Sequence, residues 1–283
     1  MAIFTNQATL SYNGTTVNSN TVSGNLVETL GITKTAVVDN YSADDRVTYV
    51  IGLTNTGITP ITGLTLTDDL GAYAFGTATI TPLSYIDGSV LYYQNGVLQA
   101  APVVTATDPL TVTGITVPAL GNTILVYEAA VNGYAPLEAG SSIINTATVT
   151  GSGIPVAISA DETVNVTEGA LLGITKSLNP TNVTDNSALT YTFTVTNVGN
   201  TDAVITDNVV ISDTFEPTLS GITVTLNGDV LPAGSYNYDE TTGVFSTVAG
   251  VITVPAATYT QDPVTGVWST APGVAVLTVT GTV

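Results

Sequence analysis

Two five-residue stretches govern how this chain can fold. Leu30-Gly31-Ile32-Thr33-Lys34 returns 142 residues later as Leu172-Gly173-Ile174-Thr175-Lys176. The same spacing carries Tyr49, Asn55 and Gly57 onto Tyr191, Asn197 and Gly199. The first copy runs on into Ile144-Asn145-Thr146-Ala147-Thr148 and a further strand around Thr163-Val164. The second copy reaches Val283 without a match for that pair. The match lies at the other end of the chain, as Thr5-Asn6-Gln7-Ala8-Thr9 followed by Thr21-Val22. The chain therefore reads as a repeated module cut two strands early. Residues 1–29 are expected to be donor strands, 30–170 a first domain and 171–283 a second, incomplete one.

Modules of this length can bury a proper core. Hydrophobic residues make up 44% of the chain, with aromatics at 7%. Val, Thr and Ile dominate, and no long helical period appears, which is the composition of an all-β protein. The net charge of −19 arises from only three basic residues. No basic patch can form from three, so neither nucleic acid nor an anionic membrane is an expected partner. There is no cysteine and no histidine. Disulfides are excluded, and the commonest general base and metal ligand are missing together. No enzymatic activity, cofactor or metal is expected. Residues 1–6 carry neither the basic nor the apolar part of a secretory signal. The expected route is synthesis in a cytoplasm without a signal peptide, then release by lysis to an extracellular location.

Val47, Tyr49, Ile51 and Leu53 alternate with more polar residues, and Leu189, Tyr191, Phe193 and Val195 alternate with threonines. Alternation of this kind marks strands with one face in a core. Each run stops at a turn, Asn55-Thr56-Gly57 or Asn197-Val198-Gly199. Strands are expected next at Leu64–Asp68 and Val209–Asp213, then at Ile115–Ala119 and Ile252–Ala256. Short strands divided by turn residues indicate two tandem immunoglobulin-like sandwiches. Asn13-Gly14 between two strand-like runs predicts an N-terminal hairpin. Such a hairpin is marginal alone and needs a sheet to join. The connection through Val27–Leu30 is too short to carry it back past the first module. A neighbouring copy is the natural acceptor, by donor-strand complementation, in a head-to-tail contact that propagates.

The basic residues are Lys34, Arg46 and Lys176. Two of the three hold one position of the repeat, which points to use of the amine. An isopeptide bond to an asparagine needs a neutral amine and a protonated carboxyl, and burial favours both. The acid should recur, as Asp68 and Asp213 do and Glu128 does not. The acceptor should recur too, as Asn145 and Asn6 do. Lys34, Asp68 and Asn145 are thus expected to react within one chain, and Lys176 and Asp213 with Asn6 of the neighbouring chain. Asn55 and Asn197 are the competing acceptors, although they sit at turns. Asp39, Asp44 and Asp45 are read as a solvated loop, and Trp268 as core or interface.

The order of lysine, Tyr191-Thr-Phe-Thr-Val-Thr-Asn-Val-Gly199 and Val209-Val-Ile-Ser-Asp213 resembles a repeat of bacterial surface proteins, an immunoglobulin-like domain of unknown function. In size and repeat content the chain is also similar to the major proteins of clostridial spore appendages. That resemblance implies a fibre on the spore surface, with itself and other appendage or coat proteins as partners. A phage structural protein and an adhesive module binding glycan or protein are the alternatives.

Overall fold

A computed structural model describes residues 2–26, 30–152 and 154–283 of the chain. It is built of strands, with a single turn of 3-10 helix at Ile205–Asp207 among the described residues. No helix there is long and apolar enough to cross a membrane. The chain divides into two compact units, Met1–Asn132 with Ile143–Val164, and Gly133–Ser142 with Asn165–Val283.

The first unit holds two antiparallel sheets. One orders Val97–Leu98, Leu91–Gln94, Gly121–Val131, Arg46–Asn55 and Leu30–Ala36, the last being called here the lysine strand. The other orders Val103–Thr107, Leu110–Val117, Ile61–Asp68, Ser142–Thr150, Ile158–Val166 and Asn40–Tyr41. Ile61–Asp68 is the aspartate strand, and Ser142–Thr150 beside it the asparagine strand. Alternation works as the sequence indicated. Val47, Tyr49, Ile51 and Leu53 are fully buried, while the residues between them reach the surface.

The second unit repeats the first sheet as Leu172–Asn179, Ala188–Asn197, Gly273–Thr282, Ser220–Leu226 and Asp229–Val230. Its counterpart of the second sheet is reduced to Ser212–Thr214, Val244–Thr247 and Tyr236–Tyr238. Among the described residues no strand lies on the outer edge of Ser212–Thr214, the place that the asparagine strand takes beside Asp68. Two expected strands are accordingly not found. Val209–Asp213 contributes only Ser212–Thr214, and Ile252–Ala256 only an isolated bridge from Val254 to Ala203. A central strand is held by ladders on both edges, and with one ladder missing Val209–Ile211 runs as irregular chain after the 3-10 turn at Ile205–Asp207. The core of this unit nonetheless closes around Tyr191, Phe193, Phe215 and Phe245.

The N-terminal segment is a hairpin, as expected. Ala2–Asn6 pairs with Val22–Leu26 and Thr9–Tyr12 with Thr15–Asn18. Asn13 and Gly14 turn it with φ of 45° and 76°, the left-handed pair that such a turn requires. These four strands bond to each other and join neither sheet of the sandwich. Phe4, Leu10 and Tyr12 stay 59%, 63% and 57% exposed.

Candidate functional site

The lysine strand lies at the edge of one sheet of the first unit, with Lys34 opposite Ile51 in its ladder. Its side chain points inward, across the sandwich, and is fully covered. Nζ reaches Asp68 Oδ2 of the facing sheet at 2.7 Å. Below it lies the ring of Tyr49, 4.8 Å from the ammonium to the centroid. Tyr49 and Tyr127 are direct ladder partners, and their rings stack at 5.5 Å. Asp68 pairs in register with Ala147 of the asparagine strand, two residues from Asn145. Its Oδ1 accepts the Leu70 N–H at 3.1 Å.

Asn145 is completely buried. Its Nδ2 donates to Tyr127 Oη at 3.1 Å, while Oδ1 accepts no hydrogen bond. A buried carbonyl oxygen without a donor is costly, so its presence beside Tyr127 needs a reason. Tyr49 Oη approaches Asn145 without reaching hydrogen-bond geometry. The three residues expected to react within the chain are thus brought into one interior cluster.

Burial works against both charges of the pair. Burial pulls the Lys34 amine below its ordinary range, and Asp68 opposes that only in part. The same burial pushes the Asp68 carboxyl up against the opposing pull of Lys34. Burial also drives the Tyr127 and Tyr49 hydroxyls upward, which keeps them protonated. Burial thus draws the two groups' proton affinities toward each other, which eases transfer of a proton from Lys34 to Asp68.

In the second unit Lys176 makes the matching ion pair with Asp213. Its Nζ lies 4.5 Å from the centroid of Tyr191 and 5.6 Å from those of Phe193 and Phe215. Yet its side chain is 40% exposed, and every residue of Leu172–Asn179 is exposed. Val279 takes the ladder position opposite Tyr191 that Tyr127 takes opposite Tyr49. Asn6 stands in the hairpin, paired with Val22. The structure therefore brings Lys176 and Asp213 together within the chain, while Asn6 belongs to a separate element.

The competing asparagines are occupied. Asn55 Oδ1 accepts Gly57 N–H and its Nδ2 donates to the Thr59 carbonyl, both at 2.8 Å. Asn197 holds Gly199, Leu171 and Thr201 in the same manner. Both pin turns. Arg46 meets Glu128 at 3.5 Å on the surface. No group of three acidic side chains able to hold a metal occurs among the described residues. Tyr127 was not singled out by the sequence, because it does not recur in the second module. Its position in the strand opposite Tyr49 was the available signal.

No protein-family model matches the chain, and no curated protein matches it either. Among solved structures it is similar to the major pilin subunit of Bacillus cereus, at 15% identity and a TM-score of 0.37. That match covers 95% of this chain and 73% of the pilin. It is also similar to the pilus backbone protein of Streptococcus pneumoniae, at 13% identity and a TM-score of 0.35, covering 86% and 55%. A family 123 glycoside hydrolase from Clostridium perfringens matches at 9% identity and a TM-score of 0.33, over 50% of this chain and 27% of the hydrolase. Likenesses of this size assign neither a family nor an activity.

Proposed function

We propose that this chain is the structural subunit of an extracellular fibre, such as a spore or cell-surface appendage. In this reading, the hairpin of one copy completes the second unit of the next. The observation that carries it is a match of side-chain pattern. Ile143, Asn145, Ala147 and Val149 are the buried face of the asparagine strand. Aligning Asn6 with Asn145 puts Phe4, Asn6, Ala8 and Leu10 on that same face, and all four are exposed in the hairpin. The pattern is that of a core strand without a core. The open edge at Ser212–Thr214 and the uncovered Lys176 supply one. Main-chain bonds along that edge would give affinity, and alternate side chains would fill the core.

Docking would deliver Asn6 to Lys176 and Asp213 as Asn145 is delivered to Lys34 and Asp68. Each lysine passes a proton to its aspartate, and the free amine attacks the carboxamide carbon. A C–N bond forms, the aspartic acid gives its proton to the amide nitrogen, which departs as ammonia as its bond to carbon breaks, and the carboxylate then takes the second proton from the lysine nitrogen. Atoms and charge balance, with no oxidant or cofactor. Lys34 lies on one sheet and Asn145 on the other, so the internal bond would staple the sandwich. The bond to Asn6 of the neighbouring copy would join subunits.

Deleting residues 1–29 tests the reading. The shortened chain should remain monomeric at concentrations where the full chain forms filaments in electron micrographs. Filaments of ordinary length from the shortened chain would overturn it.

A further inference from the structure

The two modules differ most beside the broken strand of the second unit. In the first unit Gly151 follows the asparagine strand and lies against Leu64. A Cβ added to Gly151 would stand 2.8 Å from Leu64 Cδ2 and 3.2 Å from Leu64 Cα. A side chain there would require Leu64 to move. Continuing the register that sets Asn6 on Asn145 brings Tyr12 onto Gly151.

The acceptor side has changed in the opposite sense. Asp213 corresponds to Asp68, and Asn208 to Gly63, both with left-handed backbone at φ 53° and 67°. Val209 therefore stands where Leu64 does. The Ala203–Val254 bridge repeats the pairing of Ile61 with Val117, so Ala203 stands where Ile61 does. From Ile61 to Asp68 is seven steps, and from Ala203 to Asp213 ten. The added residues fall at the 3-10 turn. Valine for leucine and alanine for isoleucine remove volume where the donor adds a tyrosine for a glycine. Ala203 lines an open recess of about 470 Å³ together with Val204, Ile205, Val254 and Pro255, and Val209, farther along the same segment, lies outside its lining. Val204 and Ile205 are 46% and 67% exposed.

We infer that this recess receives Tyr12 of the neighbouring copy, an inference that rests on the donor-hairpin reading above. The ring fills the apolar recess and the hydroxyl stays at its mouth, as buried tyrosines usually arrange themselves. The tip thereby sets both register and partner. It fits the second unit, whereas in the first it would collide with Leu64. Donor hairpin and internal strand are not interchangeable, and copies add in one direction only.

The test uses the full chain carrying Asn6→Ala, so that assembly is reversible, with its concentration dependence followed by light scattering. Burial of a side chain of this size is worth about a tenfold to hundredfold change in association. Tyr12→Ala should raise the concentration for half-assembly at least about tenfold, and Tyr12→Phe should leave it close to the parent. Ile205→Ala should also raise it, and the double variant should fall short of the product of the two effects because the residues share one contact. Tyr12→Ala assembling like the parent, or effects that multiply, would overturn the inference. Tyr12 is exposed in the free chain, so its loss does not threaten folding. Leu10→Asp separates the two levels of argument. If that variant assembles normally the donor reading itself fails. If it abolishes assembly while Tyr12→Ala has no effect, only the tyrosine anchor is lost.

Discussion

Lys34 and Lys176 occupy one position of a repeat and differ in what covers them. Lys34 is sealed with Asp68 in the interior, where removing one partner strands the other as an uncompensated charge. Lys34→Ala should therefore cost the first unit about 3–5 kcal/mol in denaturant unfolding. In the unassembled subunit Lys176 remains 40% exposed and its pairing is screened by water. Lys176→Ala should cost that subunit no more than about 1 kcal/mol. Equal losses would mean that the second site is already closed. The buried pair also sets a pH signature. Burial lowers Lys34 and raises Asp68, so their titrations approach each other. The reactive form, neutral amine with neutral acid, carries as many protons as the ion pair does. Its share is therefore level between the two macroscopic titrations of the pair. It falls below the lower one, where both groups are protonated, and above the upper one, where neither is. Ammonia loss followed by mass after refolding across a pH series should show a plateau with two falling limbs. A rise continuing through the ordinary lysine range would show an amine that titrates as if in water.

The elements were legible to different depths. The alternation in Val47–Leu53 and Leu189–Val195 reports burial directly, so those strands could be read from residues alone. Asn13-Gly14 is equally plain, since few other pairs accept that turn. The chemical cluster was legible through recurrence, which found Lys34, Asp68 and Asn145. Recurrence also hid Tyr127, whose counterpart is Val279. The strand expected at Val209–Asp213 failed for a physical reason. Its side chains suit a central strand, but a ladder needs a neighbour that the unassembled chain does not place there. The apolar side chains suit a strand in both modules, and what sets them apart is the missing edge together with the residues added at the 3-10 turn. On this account the segment is a strand in waiting. Amide hydrogen exchange at Val209 and Val210 should slow markedly when subunits assemble, as these residues gain ladder bonds to the donor. Exchange unchanged by assembly would place the donor elsewhere.

For the molecule as a whole, composition and architecture point the same way. With three basic residues and a net charge of −19, the chain has little to offer an anionic ligand. It spends two of the three on equivalent sites between sheets. One module is closed within the chain, and the other presents an open edge and an uncovered lysine. The hairpin carries the strand pattern that would close it. On the proposed reading the hairpin and the open edge are two complementary surfaces, and such a pair used head to tail builds a filament unless its rotation closes a ring. The central claim is that closure of the second unit is intermolecular and covalent. It is tested most directly by the mass of assembled protein after boiling in denaturant. The account predicts a ladder of multimers in which each subunit has lost two molecules of ammonia, apart from one fewer per chain at the free end. Monomers at full mass, with no ladder, would contradict it.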